Sequence, residues 1–279
     1  MRYEKGTIQI SPARDIPLLQ QVLRSGFATS DQLYEFMQLN QSERSRQAFD
    51  HRLRRLLAHG LIEKHQGAAR GRPQVFVISK EGASLLIDVG ELFAGRIGME
   101  TGERSCAHWL DLNDLHLALA KNRLLMRWTP ASEICSQNDL TQFRYAKDYD
   151  AVVAVECGGR ETRFGIEYER TPKTYDTYRR IASKLGGETL VDTVLYLVPN
   201  YHLLCMIRDS VAPKRVQVCI ALFTEFVDRL LATPVMIAGT SHRDIPFQTI
   251  PCRRARRADG NEPFAVTLPA PLTLLCMSE

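Results

Sequence analysis

The sequence predicts two domains, an N-terminal α+β module of short helices closed by a hairpin and a larger C-terminal α/β domain on a mixed sheet. Three observations point there. At 279 residues and 44% apolar composition the chain can bury more core than one ordinary domain needs. Near residue 126 the apolar period changes from helical spacing to continuous runs such as Ala151–Val155 and Thr193–Val198. Charge is also uneven: residues 1–90 carry a net +4, as does the whole chain, so the remainder is neutral. The surplus on the N-terminal third argues for a polyanionic partner there.

Taken in order, Thr7–Ile10 alternates briefly and Pro12 punctuates. A helix is expected from Asp15, which can cap it, with Ile16, Leu19, Val22 and Leu23 on one face and Gly26 ending it. Thr29 and Gln32 have capping-box spacing and open a second helix with Leu33, Phe36 and Met37 inward. Asn40 and Glu43 read as the box of a third, whose Phe49, Leu53, Leu56 and Leu57 form an apolar stripe before Gly60. Leu61–His65 and Gln74–Ile78 read as paired strands around a Gly67–Pro73 turn, and a further helix runs from Lys80 to about Leu92. Helix, helix, helix, hairpin is the winged helix-turn-helix order. The module spans 12–92, a Gly-rich and charged stretch over 93–107 is the linker, and 108–279 is the second domain.

Between Arg44 and Arg72 stand eight Lys or Arg against two acids. Such a helix face is ordinarily solvated surface. Here the arginines are read as lacking the i+4 acids of a self-compensating surface, and the hairpin tip carries two more arginines, which favours DNA. The expected DNA-contacting residues are Arg44, Arg46, Gln47, His51, Arg54 and Arg55 on the helix, Lys64 on the first strand, and Arg70 and Arg72 on the wing. Double-stranded DNA is the expected partner, and its binding requires no cofactor.

In the second domain, Leu112–Met126 reads as a helix, Ser132–Cys135 as a first strand, Ala151–Val155 and Thr162–Tyr168 as a hairpin, Tyr175–Leu185 as a helix and Thr193–Val198 as a strand. Arg215–Phe223 gives another strand, Glu225–Leu231 a helix, and Cys252–Arg257 an exposed basic loop. Asp150 stands at the mouth of one strand, while Glu167 and Glu169, two apart on the next, point to the same side. Convergent carboxylates of this kind bind a hard divalent cation. The alternative is a polar strand face paired with Arg163, Arg170 or Arg179.

This order resembles the restriction-endonuclease-like fold, whose signature is an Asp followed by Glu-x-Lys on the adjacent strand. The resemblance implies Asp150 and Glu167 as ligands of Mg2+, with Glu169 where the lysine would stand and Lys173 placed to take the lysine's part. Glu133 is a candidate additional acidic ligand.

His108-Trp109-Leu110 with Asn113-Asp114-Leu115, then Tyr149-Asp150-Ala151, Glu167-Tyr168-Glu169-Arg170-Thr171 and Val194–Asn200, read together with the basic helix and hairpin, resemble the replication-relaxation family of plasmids and integrated mobile elements. The resemblance covers roughly residues 12–210. It implies a winged helix joined to a nuclease-like domain, acting in replication or mobilisation of the element or in its control. The family's Pro-Asp-Ala is Tyr-Asp-Ala here, and its Glu-x-Asp is Glu-x-Glu.

Three functions compete. One is a non-catalytic double-stranded DNA binder of a plasmid or mobile element, working as a homodimer beside a relaxase or replication initiator. Another is a Mg2+-dependent nuclease using Asp150, Glu167, Glu169 and Lys173. The third is a transcriptional repressor with a C-terminal dimerisation or sensing domain. Seven scattered cysteines without a CxxC spacing give neither a disulfide framework nor a zinc site, and no stretch approaches the roughly 18 apolar residues of a membrane span. A cytoplasmic protein without a membrane partner is expected.

Overall fold

The computed structural model describes residues 8–65, 74–90, 103–157, 160–213, 215–240 and 245–250. The first segment folds as α1 (Asp15–Ser25), β1 (Ala28–Thr29), α2 (Ser30–Leu39), α3 (Arg46–Ala58), β2 (Ile62–Lys64), β3 (Val75–Ile78) and α4 (Lys80–Asp88). The three strands pair antiparallel in the order β1-β3-β2. Leu18, Leu19, Leu33, Phe49, Leu56, Ile62 and Phe76 fill the space between helices and sheet. The Thr29–Gln32 capping box forms as expected, each side chain meeting the other's amide at 3.1 Å.

Two expected caps are replaced by a charge cluster. Asp15 is the first residue of α1 rather than its cap. Its carboxylate is fully buried, accepts from the Ser11 amide at 2.7 Å and pairs with Arg52 at 2.8 Å and with Arg55. Asn40 and Glu43 do not box α3, which begins at Arg46 under Ser45. Glu43 is buried and takes the other side of Arg52 at 3.2 Å. Burial pulls the Asp15 pKa up, but the Ser11 amide and the two guanidinium groups outweigh it and hold it below the usual carboxylate range.

The second segment begins with α5 (Glu103–Lys121), nine residues earlier than the sequence pattern indicates and inside the expected linker. It also ends earlier, because Leu125 and Met126 belong to β4 (Leu125–Pro130). Then follow α6 (Ala131–Leu140), β5 (Ala151–Cys157), β6 (Arg160–Tyr168), α7 (Tyr175–Leu185), β7 (Thr193–Val198), α8 (Tyr201–Ser210), β8 (Gln217–Leu222), α9 (Phe223–Arg229), a 3-10 turn at Leu230–Ala232, β9 (Pro234–Ile237) and β10 (Ile245–Pro246). Ser132–Cys135, expected as a strand, is helical. The first strand lies just before it, and Pro130, which lacks an amide donor, ends that edge strand and opens α6. Helix α8 and strands β9 and β10 were not read from the sequence, and Cys252–Arg257 lies outside the described residues.

The seven strands form one mixed sheet in the order β10-β9-β8-β7-β6-β5-β4. Neighbours from β4 to β6 run antiparallel, β6, β7 and β8 run parallel, and β9 returns antiparallel. One face packs Ala151, Val153, Phe164, Ile166, Leu195 and Leu197 against α5 and α9; the other packs Val152, Val194, Tyr196 and Val198 against α7 and α8. Gly165 lies on the second face, where a Cβ would sit 2.9 Å from the Tyr149 ring, so only glycine admits that ring. Among the described residues no helix is long and apolar enough to cross a membrane.

Helix α5 joins the two segments. Trp109 lies over Gly26, Asn113 donates to the Phe27 carbonyl at 2.7 Å, and Gln32 donates to the Leu110 carbonyl at 2.9 Å and to Asp114 at 2.7 Å.

Removing one partner of a buried ion cluster strands the others. Asp15→Ala is therefore expected to cost about 3 kcal/mol or more in urea unfolding at neutral pH. Because the folded-state pKa of Asp15 is depressed, its stabilisation is present above the ordinary carboxylate pKa of about 4 and is lost as pH falls below it. An Asp15→Asn variant should accordingly show a flatter acid limb of stability than the wild type.

Candidate nucleic-acid interface and carboxylate cluster

The basic helix divides its charge between two uses. Arg52 and Arg55 turn inward to Asp15. Arg46 is held by Asp31 at 2.7 Å and by Asp50 at 2.9 Å, the latter an i,i+4 pair, so the expectation that these arginines lack such acids fails for Arg46. What remains outward is Arg44, Gln47, His51 and Arg54, all exposed, with Lys64 exposed on β2. No acid pairs with Arg44, Arg54 or Lys64 among the described residues. Arg54 and Lys64 line an open groove between the end of α3 and β2. Arg70 and Arg72 of the expected wing lie outside the described residues.

The carboxylates gather at one end of the central strands, but each is individually engaged. Asp150 precedes β5; its Oδ2 accepts from the Tyr168 amide at 2.7 Å and its Oδ1 meets His108 Nε2 at 3.1 Å. Burial raises the Asp150 pKa, while His108, the amide and Lys147 lower it further, leaving it below the usual range. For His108 burial opposes protonation, and the Asp150 hydrogen bond and charge outweigh it, so its pKa lies above the ordinary imidazole value. The ring stacks on Tyr168, with centroids 5.4 Å apart.

Glu167 and Glu169 do share a side of β6, and both are buried. Glu169 pairs with Lys173. Glu167 pairs through Oε2 with Lys147, whose loop is tied down by Glu188: the Glu188 carboxylate accepts from the Ala146 amide at 2.9 Å and the Tyr149 hydroxyl at 2.7 Å. Burial pushes the Glu167 carboxyl up to about 7, with Lys147 opposing and Asp150 adding to the rise. Its Oε1 is buried with no hydrogen-bond partner among the described residues.

The expected pairing of these acids with Arg163, Arg170 or Arg179 is not what forms. Arg163 pairs with Glu161, Arg170 with Asp111 and Arg179 with Asp176. Glu133, the candidate extra ligand, is bound to Arg24 at 2.9 Å. Among the described residues no three His, Cys, Asp or Glu side chains gather closely enough to hold a metal ion. Lys147 and His108 went unnoticed as site residues in the sequence. Lys147 stands three residues before Asp150, a spacing that gives no hint of its reach to Glu167, while His108 enters the sequence reading only within His108-Trp109-Leu110, a stretch quoted for the family resemblance and given no role at the site.

The family described as replication-relaxation matches residues 19–187, well over half of the chain. No curated protein matches it, and no solved structure does.

The raised pKa of Glu167 has a measurable consequence. Between its unfolded value and about 7 the folded protein binds the extra proton, so this residue's contribution falls as pH rises through that window. Relative to wild type, Glu167→Gln should gain stability between pH 5 and pH 8, on the order of 2 kcal/mol in urea titrations. A difference independent of pH would show that Glu167 is ionised throughout.

Proposed function

We propose, from the premise that this chain belongs to the replication-relaxation family, that it is a double-stranded DNA-binding protein serving replication or mobilisation of a plasmid or mobile element, or its control. One observation carries the reading: on a helix whose other arginines are neutralised by acids, Gln47, His51 and Arg54 stay outward, joined by Arg44 just before the helix and by Lys64 on β2. The order of three helices and a hairpin supports a winged helix-turn-helix, with α3 in the major groove and the hairpin along the backbone. Arginine and glutamine are suited to base edges there, and arginine and lysine to phosphates. This binding uses no cofactor. A homodimer on a two-fold site, a relaxase or replication initiator as partner, a cytoplasmic setting and service as a repressor are finer forms of the same proposal.

Electrophoretic shift over a salt series tests it. Affinity is expected to fall steeply with salt, with a logarithmic slope of about 0.9 per phosphate contacted. Arg44→Ala and Arg54→Ala should each weaken binding about fivefold to tenfold, and replacing a phosphate contact should lower the slope by about one, with thermal unfolding unchanged. Absent or salt-insensitive binding would sink the proposal.

A second reading, a Mg2+-dependent nuclease targeted by the same helix, is favoured by the unpartnered buried Oε1 of Glu167. The run β4, β5, β6 antiparallel, then α7 and a parallel β7, also agrees with a restriction-endonuclease-like core. Asp150 and Glu167 are the residues assigned to the metal, with Glu169 and Lys173 beside them. The present pairing opposes an ion: both Asp150 oxygens are engaged and Lys147 occupies Glu167. Incubation of supercoiled plasmid with Mg2+ or Mn2+ decides it, the reading expecting nicking that Asp150→Ala and Glu167→Ala abolish. No nicking, or nicking unchanged in both variants, removes it.

A further inference from the structure

Strand register sets two arginines on one face of the large sheet with a small side chain between them. Arg127 of β4 stands opposite Ala154 of β5, and Ala154 stands opposite Arg163 of β6, and cross-strand partners share a face. Two strand spacings, roughly 10 Å, separate the arginine backbones, and Ala154 leaves a notch between them. In the next row Thr129 stands opposite Val152, a member of the apolar cluster on this face.

Over the notch lies a cavity of about 100 Å³, floored by Val152 and Ala154 and walled by Phe143 and Tyr145 from the loop between α6 and β5. That is several times the roughly 15 Å³ one water needs and well below the roughly 300 Å³ of a site for a drug-sized ligand. It has room for one compact polar group. No carboxylate lines it. Among the described residues no acid pairs with Arg127, and Arg163 gives only its Nε to Glu161, at 2.6 Å, which leaves both terminal nitrogens. Glu156, the exposed acid beyond Ala154 on this face, pairs with neither arginine.

The Thr129 and Tyr145 hydroxyls also line the cavity and have no hydrogen-bond partner among the described residues. Burial raises the Tyr145 pKa, and the charges of Arg163 and Arg127 both oppose that rise, so both guanidinium groups act on this hydroxyl. The two acids that add to the rise are engaged elsewhere. Glu188 accepts from the Tyr149 hydroxyl and the Ala146 amide, and Glu133 pairs with Arg24.

Two guanidinium forks and two hydroxyls around so small a space are the complement of a tetrahedral dianion. A carboxylate brings two oxygens and a single charge, whereas a phosphoryl group brings three acceptor oxygens and a charge of about −2. We propose that this cavity binds the phosphoryl group of a phosphate monoester, or free phosphate, between Arg127 and Arg163, with the Thr129 and Tyr145 hydroxyls donating to its remaining oxygen. The two sources share that chemistry. Phe143, 46% exposed, offers an apolar surface to the organic part of an ester. The cavity shares no lining residue with α3, so the site stands whether or not α3 binds duplex DNA.

Isothermal titration calorimetry of the full chain in phosphate-free chloride buffer tests the site. The probes are inorganic phosphate and dAMP, and the variants are Arg127→Gln, Arg163→Gln and, as a control on α7, Arg180→Gln. Both cavity arginines are exposed, so their replacement leaves the core intact. Saturation by inorganic phosphate assigns a site for the anion itself, whether or not dAMP also binds; saturation by dAMP alone assigns a monoester whose organic part is needed. In either case Arg127→Gln and Arg163→Gln should each bind about tenfold more weakly, the loss expected for a charge-assisted hydrogen bond, and Arg180→Gln should match wild type. Binding of neither probe, wild-type affinity in either cavity variant, or an equal loss in Arg180→Gln overturns the proposal.

Discussion

The two halves of the chain are joined by a tryptophan seated on a glycine. Gly26 has a φ of 65°, and a Cβ there would stand 3.1 Å from the Trp109 ring. Glycine suits the left-handed turn after α1, and it lets α5 approach so closely that a Cβ would crowd the Trp109 ring. Around that contact, Asn113 and Gln32 bind backbone carbonyls across the joint, and Phe27 and Val75 of the N-terminal part enter the same apolar cluster as the inner face of the sheet. Helix α5 is thus core to both halves. This is why it starts inside a stretch whose composition reads as a linker.

The charge surplus of the first 90 residues means something different once long-range partners are known. Spacing along one helix reveals only neighbours three or four residues away. The acids that neutralise Arg52 and Arg55 are Asp15, on another helix, and Glu43, in the turn before α3. Local pattern could show that the helix is basic and that Asp50 stands four residues from Arg46, but not that Arg52 and Arg55 are structural. The Thr29–Gln32 box, by contrast, is wholly local and was legible. The same distinction explains the second half. Runs such as Val194–Val198 announce buried strands by themselves, whereas Ser132–Cys135 is too short to declare its state, and Pro130 decides it. Helix α8 carried a readable signal, Asn200 capping ahead of Leu203, Leu204 and Ile207, but Pro199-Asn200 also reads as a simple end to β7.

For the carboxylates, strand periodicity placed Glu167 and Glu169 on one side of β6, and burial confirms that side as interior. Their cations come from outside the strand: Lys173 from the segment after β6 and Lys147 from the loop before β5. That loop is held by Glu188, itself fastened by the Tyr149 hydroxyl and by the amides of Thr189 and Leu190 at 2.8 and 2.7 Å. Such an arrangement depends on three separated segments and has no signature in any one of them.

The balance at Glu167 follows from these contacts. A buried carboxylate bears the full cost of desolvation, and one lysine offsets only part of it, which is why its pKa settles near 7 rather than in the ordinary range. Asp150, with an amide and an imidazole on its two oxygens, moves the other way. Two carboxylates at one end of the sheet are thereby held in different protonation regimes by their partners. Any cation arriving there has to compete with Lys147 for Glu167 and with His108 for Asp150, so the chemistry of this end is governed first by whether those two side chains stay in place.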